Sequence, residues 1–300
     1  MHINAYILAA DPAWLESSVL SYYHLVRKIV VSYDEAHLSW SGTPIPVEEC
    51  LRRLRAIDSE SKMVFIPGNF ARRAYNPMQN DTYQRQTALD LASDDADWVL
   101  QLDTDEVLGN PGAFLSCLKT AHRIGFGAME YPARWLYASL GNNRYLERCS
   151  PLWQTVAGFP GPVAIRPGNT LYTSRQCDTT LYRVDFRKRN TDPFHSPDAP
   201  VHAVVAERDG IIHYSWIRDE SQLRRKTTAW GHSRDDWSPE IRHWVWAGKH
   251  PILASLTTPF RRFPQRMRIT HIPLASAQAP LAETPRHSPS ISNAVPLGKV

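Results

Sequence analysis

An apolar run that ends abruptly in carboxylates is the feature of this sequence that most constrains its fold. The pattern predicts a short buried strand from Trp98 to Leu102, and Asp103, Asp105 and Glu106 follow it directly. Side chains along an extended chain alternate in direction, so Asp103 and Asp105 are expected to point to the same side. Because ligands of open α/β sheets gather at the carboxyl ends of the strands, this charge lies where such a sheet binds its ligand.

Two carboxylates on one side of a strand end suit Mg²⁺ or Mn²⁺, especially when a diphosphate supplies further oxygen ligands. An acidic surface turn is the alternative interpretation, because an isolated Asp-x-Asp often occurs by chance. A predicted helix before the strand and the turn residues Gly109-Asn110-Pro111-Gly112 after it favour the metal-binding interpretation.

The length and composition are those of an ordinary globular protein. A chain of 300 residues can bury a substantial core, as one large domain or as one domain with an extension. Apolar residues make up 43% and charged residues 21% of the sequence. The formal net charge is +4, with the basic excess late in the chain, which favours an anionic ligand or surface over a role as a dedicated nucleic-acid-binding protein.

Several sequence features indicate a cytoplasmic protein. The four cysteines lie far apart and include no Cys-x-x-Cys pair, so a structural zinc site is not expected and a reduced compartment is. The N-terminal sequence lacks a basic region followed by an apolar one, so no signal peptide is expected. No run of about 18 apolar residues predicts a membrane-spanning helix.

The first half of the chain alternates predicted strands and helices, which is typical of a parallel sheet. The predicted strands are 3–9, 29–33, 62–66 and 98–102, and the predicted helices are 14–25, 47–59, 82–93 and 114–122. Asp11-Pro12 is expected to start the first helix as N-cap and first helical residue. Asp34 ends the second strand and is a candidate to accept hydrogen bonds from a ribose or a base, the alternative being a solvated turn residue.

The second half is less regular. Residues 128–140 predict a strand, 141–148 a hairpin or loop, 152–182 a partly β region over the sheet edge, and 218–230 a helix. Residues 257–272 mix arginines with apolar side chains, which suits contact with a membrane surface or a partner, or else a solvated basic face. Residues 276–300 are expected to be a disordered tail because they are rich in Pro, Ser and Ala.

Two stretches resemble the family-two-like nucleotide-sugar glycosyltransferases of bacteria. Residues 84–89 and 98–106 are similar to that family's helix, strand and Asp-x-Asp series. Residues 212–218, with Lys226 and Gly231-His232, are similar to the C-terminal segment of many bacterial members. The resemblance covers residues 1–250 and implies a GT-A-like α/β domain, a Rossmann-type mixed central sheet flanked by helices, followed by a helical and basic extension over 251–275.

The resemblance implies an enzyme that moves a sugar from a UDP-, GDP- or dTDP-sugar to a hydroxyl group, with inversion and with help from Mn²⁺ or Mg²⁺. The acceptor would be a glycan, a lipid-linked molecule or a small molecule, as in polysaccharide biosynthesis in the cytoplasm or at the inner face of the membrane. One alternative is a non-catalytic nucleotide- or glycan-binding protein on the same fold. Another is a metal-dependent nucleotidyltransferase, although residues 9–12 lack the glycine-rich phosphate loop usual in that class.

The resemblance also suggests roles for individual residues. It implies that His213 completes the shell of the metal held by Asp103 and Asp105, although a core histidine is the alternative for a residue in an apolar strand. The residues expected to contact the nucleotide-sugar donor are Asp34, Arg85, Asp103, Arg218 and Lys226. Lys226 or Arg218 is expected at the diphosphate. Asp34 and Arg85 are expected near the nucleoside, with ion pairing as the alternative for Arg85.

An inverting transferase needs a carboxylate that takes the proton of the acceptor hydroxyl. Asp178 is the candidate because it follows a region rich in glycine and proline, and Asp185 and Glu207 are alternatives. Trp135, Trp153 and Tyr137 are candidates for stacking on sugar rings, with core packing as the alternative.

Overall fold

The computed structural model of the protein describes residues 1–229, 236–256 and 266–273. A mixed eight-stranded sheet flanked by helices forms its centre, so the predicted α/β class is confirmed. Across this sheet the strands follow the order β13 (Ala203–Val204), β12 (Leu181–Asp185), β6 (Ala128–Glu130), β9 (Ala164–Ile165), β4 (Trp98–Leu100), β1 (Ile3–Leu8), β2 (Ile29–Asp34) and β3 (Met63–Gly68). Strand β9 is antiparallel to both of its neighbours, and the other pairs are parallel.

A second sheet of five strands contributes to the binding region. Its order is β15 (Arg266–His271), β8 (Arg144–Cys149), β7 (Ala133–Ser139), β14 (Ile211–His213) and β5 (Glu106–Leu108). Strands β10 (Leu171–Thr173) and β11 (Gln176–Cys177) form a separate hairpin. The described helices are α1 (Leu15–Tyr22), α2 (Val47–Ile57), α3 (Pro77–Ala92), α4 (Pro111–Ile124), α5 (Glu220–Ala229), α6 (Ser238–Lys249) and α7 (Pro251–Leu256).

Strand β1 is buried along its whole length, because apolar side chains cover both faces of the sheet. Ile3 and Ile7 belong to the cluster that also contains the buried residues of α1, α2 and α4. Tyr6 and Leu8 point the other way and join a cluster with Leu89 of α3. The alternation therefore fixes which face each helix covers.

Two helices begin earlier than the sequence pattern predicts. Helix α3 begins at Pro77 rather than at residue 82, because Asn76 and Gln79 form a capping box with two hydrogen bonds of 2.9 Å. Helix α4 begins at Pro111, where a turn was expected, and the Asn110 side chain accepts hydrogen bonds from two backbone N–H groups of its first turn.

Two further expectations differ from the structure. The strand expected over 128–140 is divided at residues 131–132 into β6 and β7, which belong to different sheets. The expected basic extension contains β15, which pairs in antiparallel fashion with all six residues of β8 and so continues the five-stranded sheet. The tail at 276–300, part of the basic segment (257–265) and Gly231-His232 lie outside the described residues.

Candidate functional site

A cavity of about 1410 Å³ lies at the carboxyl ends of the parallel strands. Leu8 ends β1 and Asp34 ends β2, and both line the cavity together with Asp103 and Asp105. Helices α5 and α6 supply another part of the wall, including Lys226. A cavity at this edge of an α/β sheet is the usual position of a ligand site.

The acidic segment forms a tight turn between the two sheets. The Glu106 N–H donates to the Asp103 carbonyl over 3.0 Å, and β5 begins at Glu106 in the second sheet. The expectation that alternation along a strand orients both aspartates is therefore wrong, because residues 103–105 are not extended. Both carboxylates nevertheless reach the cavity wall, since the turn itself faces the cavity.

Glu106, the third carboxylate of the segment, points inward and is fully buried. Its two oxygens accept hydrogen bonds of 2.7 Å from the Arg175 guanidinium, and Oε2 also accepts from the Asp103 N–H over 3.0 Å. This bidentate pair fixes the base of the turn. Glu106 therefore has a structural role and Arg175, which carries no sequence motif, supports it.

The pairing of β5 with β14 brings a distant part of the chain to Asp105. His213 lies opposite Glu106 in this antiparallel pair, and the Tyr214 N–H donates to the Asp105 carbonyl over 2.9 Å. As a result, His213 Nε2 lies 3.4 Å from Asp105 Oδ1. His213 Nδ1 is buried without a hydrogen-bond partner in the described structure.

Asp105 is nearly inaccessible, with 3% of its surface exposed, and its two oxygens have different surroundings. Oδ2 accepts a hydrogen bond of 3.0 Å from Arg218 and contacts the Lys226 ammonium, whereas Oδ1 faces His213. Burial favours the neutral acid, but Lys226, His213 and Arg218 outweigh it and hold the Asp105 pKa well below its usual range. Asp105 is therefore an anion held in place by cations.

The two carboxylate oxygens of Asp103 also have different surroundings. Its Oδ1 accepts a hydrogen bond of 2.9 Å from Arg85, whereas Oδ2 lies 3.9 Å from the nearest Arg175 nitrogen. Arg85 is held in turn by Asp81, which accepts from Nε over 2.6 Å. Burial opposes ionisation of Asp103, but Arg85 and Arg175 lower its pKa overall. Arg85 thus forms the ion pairs of the alternative interpretation, and because it also lines the cavity, its contact with a nucleoside stays a prediction.

The structure also locates Lys226 and Arg218. Lys226 lines the cavity and contacts Asp105 and Ser215. Arg218 lies behind Asp105, where it binds Asp11 over 2.7 Å, and its side chain is only 1% exposed. Asp11 therefore pairs with Arg218 across the fold instead of capping α1, whose N-cap residue is Trp14.

Asp34 is already fully engaged by backbone groups. Its Oδ1 accepts from the N–H groups of Ala36 and Leu38, and its Oδ2 from those of Phe70 and Ala71, at 2.7 to 3.1 Å. The carboxylate thus ties together the loops that follow β2 and β3. Asp34 lines the cavity, so a contact with a nucleoside stays a prediction.

The structure does not bring the expected catalytic base to the cavity. Asp178 is exposed just beyond β11 and lies outside the cavity wall. The two alternative bases also lie outside the cavity wall. Asp185 is buried and accepts hydrogen bonds from Thr191, and Glu207 pairs with Arg268 at 3.0 Å. The region 152–182 does not lie over the sheet edge as expected, because its strand β9 is inserted between β4 and β6. Arg175 and Gln176 of this region line the cavity, and Asp178 does not.

Of the three aromatic residues proposed to stack on sugar rings, one lines the cavity and two do not. Trp135 lines the cavity and packs edge-to-face on His213, with ring centroids 4.8 Å apart. Gly158 allows this arrangement, because a Cβ there would lie 2.2 Å from Trp135 Nε1. Tyr137 is buried and Trp153 lies partly exposed, and neither is part of the cavity wall.

The donor chemistry around Asp105 suits a hard divalent cation. Asp105 Oδ1 and His213 Nε2 are neighbours, and the nearest Arg175 nitrogen lies 3.9 Å from Asp103 Oδ2. Across residues 1–229, 236–256 and 266–273, however, no three His, Cys, Asp or Glu side chains cluster as a complete metal site. A cation here would therefore need oxygen ligands from a bound phosphate, which is common for Mg²⁺.

Comparisons with known proteins give no family assignment. No family model matches the chain, and no curated protein matches it. Among solved structures, 4-diphosphocytidyl-2C-methyl-D-erythritol synthase from Anaerococcus prevotii is 13% identical, with 55% of this chain and 70% of that chain covered and a TM-score of 0.32. Mannose-6-phosphate isomerase from Helicobacter pylori is 15% identical, with 50% and 56% covered and a TM-score of 0.29. Likenesses of this size carry no argument about function.

Proposed function

We propose that the protein is a metal-dependent glycosyltransferase that uses a nucleoside-diphosphate sugar. One observation carries the proposal: at the carboxyl edge of the sheet, Asp103 and Asp105 each have one oxygen held by arginine or lysine side chains. Of the two remaining oxygens, Asp105 Oδ1 faces the His213 imidazole and Asp103 Oδ2 lies 3.9 Å from the nearest Arg175 nitrogen. Two such oxygens at the wall of a large cavity suit a cation that is shared with a diphosphate.

The charge of the cavity wall supports a cation as part of the ligand. Seven carboxylates line the described wall: Asp11, Asp34, Asp81, Asp103, Asp105, Asp236 and Glu240. Five basic side chains accompany them: Arg85, Arg148, Arg175, Arg225 and Lys226. A diphosphate alone would add negative charge to a wall that already has an acidic excess, whereas a divalent cation offsets that charge.

Asp103, Asp105 and His213 would hold Mn²⁺ or Mg²⁺, which supplies positive charge for the diphosphate as the bond to the sugar breaks. Basic side chains orient the two aspartates through hydrogen bonds. Arg85 orients Asp103, and Arg218 orients Asp105 from behind. Lys226 both contacts Asp105 and lines the cavity wall. We therefore assign Lys226 to the diphosphate as well.

Binding and turnover of nucleotide sugars test this proposal. We expect UDP-, GDP- or dTDP-sugars to raise the melting temperature of the protein with Mn²⁺ and not in excess EDTA. We also expect slow release of nucleoside diphosphate, faster when a hydroxyl acceptor is added. Undiminished turnover in EDTA would contradict the metal assignment, and binding without any turnover would indicate the non-catalytic alternative.

A nucleotidyltransferase is the second candidate, because five basic side chains in one wall also suit a triphosphate. The two reactions release different products. A glycosyltransferase releases nucleoside diphosphate from a nucleotide sugar. A nucleotidyltransferase joins a nucleoside triphosphate to a phosphorylated acceptor and releases pyrophosphate from the triphosphate. Pyrophosphate release in the absence of nucleotide-sugar turnover would therefore favour the second candidate.

We also propose a peripheral contact with anionic membranes through the surface at the end of α7. Leu152, Ile252, Leu253 and Leu256 are each at least 54% exposed there, and Trp153 Nε1 donates to the Ser255 carbonyl. The Arg266 guanidinium lies 4.4 Å from the centre of the Trp153 ring. Apolar side chains beside basic ones suit the interface of an anionic bilayer. No described helix has both the length and the apolar character needed to cross a bilayer.

A further inference from the structure

Glu240, in the first turn of α6, lines the same cavity as Asp103 and Asp105. Its Oε2 atom is buried and has no hydrogen-bond partner within the described part of the chain. Buried carboxylate oxygens almost always accept a hydrogen bond, because leaving one without a donor costs free energy. An unpartnered oxygen in a cavity wall therefore marks a position at which a ligand is expected to provide the donor.

The other carboxylates of the described wall are already engaged. Asp11 and Asp105 bind Arg218, Asp81 and Asp103 bind Arg85, and Asp34 accepts four backbone N–H groups. Asp236 is exposed and accepts from the Ser238 N–H over 3.0 Å. Glu240 thus differs from all six, because among the described residues no group donates a hydrogen bond to its buried oxygen.

We infer that Glu240 is the catalytic base that accepts the proton of the acceptor hydroxyl, an inference that rests on the proposed glycosyltransferase function. As the acceptor oxygen forms its bond to the anomeric carbon, the bond from that carbon to the diphosphate oxygen breaks and its electron pair leaves with the nucleoside diphosphate. The hydroxyl proton passes to Glu240 Oε2. In this assignment the leaving group lies at the Asp103–Asp105 turn and the acceptor at Glu240 of α6.

The surroundings of Glu240 suit a hydroxyl acceptor. Trp237 and His243 lie on the same segment and also line the cavity. His243 Nδ1 is 2.8 Å from the Tyr137 hydroxyl, which holds the imidazole against the second sheet. An aromatic ring, an imidazole and a carboxylate on one wall are the kind of groups that bind a polyhydroxylated molecule such as a sugar.

The test compares the full-length wild type, Glu240→Gln and Asp178→Asn. Asp178 is the matched control, because it is an exposed carboxylate outside the cavity wall. The probes are UDP-, GDP- and dTDP-sugars with Mn²⁺, with water or an added monosaccharide as acceptor. We expect Glu240→Gln to lower kcat by about 10²- to 10³-fold. The donor Kd by calorimetry should stay within about twofold, because the donor is assigned to the Asp103–Asp105 turn and Glu240 to the acceptor.

The outcomes separate the two proposals. If the wild type consumes none of the nucleotide sugars, the proposed function fails and the role of Glu240 fails with it. If the wild type is active and Glu240→Gln keeps more than half of its kcat, only the assignment of Glu240 is overturned. A matching loss of donor affinity and rate would also overturn it, because it would show a structural role. Loss of kcat alone, with Asp178→Asn unchanged, supports the inference.

Discussion

Arg175 and Glu106 form a fully buried bidentate ion pair, with both N···O distances at 2.7 Å, directly beneath the Asp103–Asp105 turn. Arg175 also donates to the Gln101 carbonyl over 2.7 Å, so a single guanidinium links the end of β4 to the start of β5. The position of the Asp103–Asp105 turn thus depends on this ion pair at its base.

We expect Glu106→Gln to lower the free energy of unfolding by about 3 kcal/mol, because it leaves a buried guanidinium without its counter-charge. Urea denaturation measures this loss. The matched control is Glu220→Gln, which breaks an exposed Arg224–Glu220 pair on α5 and should cost less than about 1 kcal/mol. Equal stabilities of the two variants would contradict the role of the buried pair.

Asp103→Asn and Asp105→Asn should separate stability from metal-dependent binding. The Asp103 side chain is 32% exposed and that of Asp105 is 4% exposed, so only Asp105→Asn should strongly destabilise the fold, by about 3 kcal/mol. Both substitutions remove charge from the proposed cation site, so both should abolish the Mn²⁺-dependent rise in melting temperature with nucleotide sugar. A normal rise in either variant would argue that its aspartate does not bind the cation.

Asp34→Ala should loosen two loops at once, because one carboxylate accepts four backbone N–H groups. Hydrogen–deuterium exchange should increase at residues 36–38 and 70–71, and the unfolding free energy should fall by about 2 kcal/mol. Asp34→Asn keeps one acceptor oxygen, so exchange should rise mainly in one of the two loops. Unchanged exchange in both loops of the alanine variant would show that these hydrogen bonds do not hold them.

The stability of the protein should decrease between pH 7.5 and 5.5, in part because of His202. Burial lowers the pKa of His202, whose Nδ1 accepts from the Arg183 N–H over 3.0 Å. The unfolded chain therefore takes up a proton near the ordinary histidine pKa of about 6.5 while the folded chain resists it, so folding loses free energy as the pH falls. His202→Asn keeps an acceptor and does not titrate, so urea denaturation at the two pH values should show a smaller difference. An identical pH dependence would contradict this role.

Ile252→Ser and Leu253→Ser should weaken binding to phosphatidylglycerol-containing vesicles by about tenfold each, the effect of removing one large apolar side chain from the interface. Flotation of vesicles measures the bound fraction. Ile124→Ser on α4 is the control, because Ile124 is similarly exposed, at 60%, and lies on another helix. Binding that is equal in all variants, or absent in the wild type, would contradict the membrane contact.

Local patterns predicted the strands around the site well, because their signals lie within a few residues. The apolar runs that became β1, β2 and β4 are short, continuous and followed by polar groups. The starts of α3 and α4 were harder to predict, since Asn-Pro marks both a turn and a capped helix. Only the completed capping hydrogen bonds distinguish the two.

The site itself was predictable only in part. The Asp-x-Asp segment can be recognised from its residue types, whereas only the family resemblance points to His213 as a metal ligand. The partners of the aspartates come from distant positions: Arg218 lies 113 residues after Asp105, and Arg175 lies 69 residues after Glu106. No periodicity encodes such pairings, because they depend on the register of β5 against β14 and on how 152–182 folds. For the same reason, the sequence points to Asp178 rather than to Glu240 as the candidate catalytic base.

The antiparallel pairing of β5 with β14 has a consequence for partial forms of the chain. A fragment that ended before residue 211 would keep the parallel strands and both aspartates, yet Asp105 would lack His213, Arg218 and Lys226. Its carboxylate would then lack these cationic partners, and we expect truncation by a protease or by interrupted translation to remove the proposed cation site. During translation, the surroundings of Asp105 can therefore be completed only after the ribosome has passed residue 226.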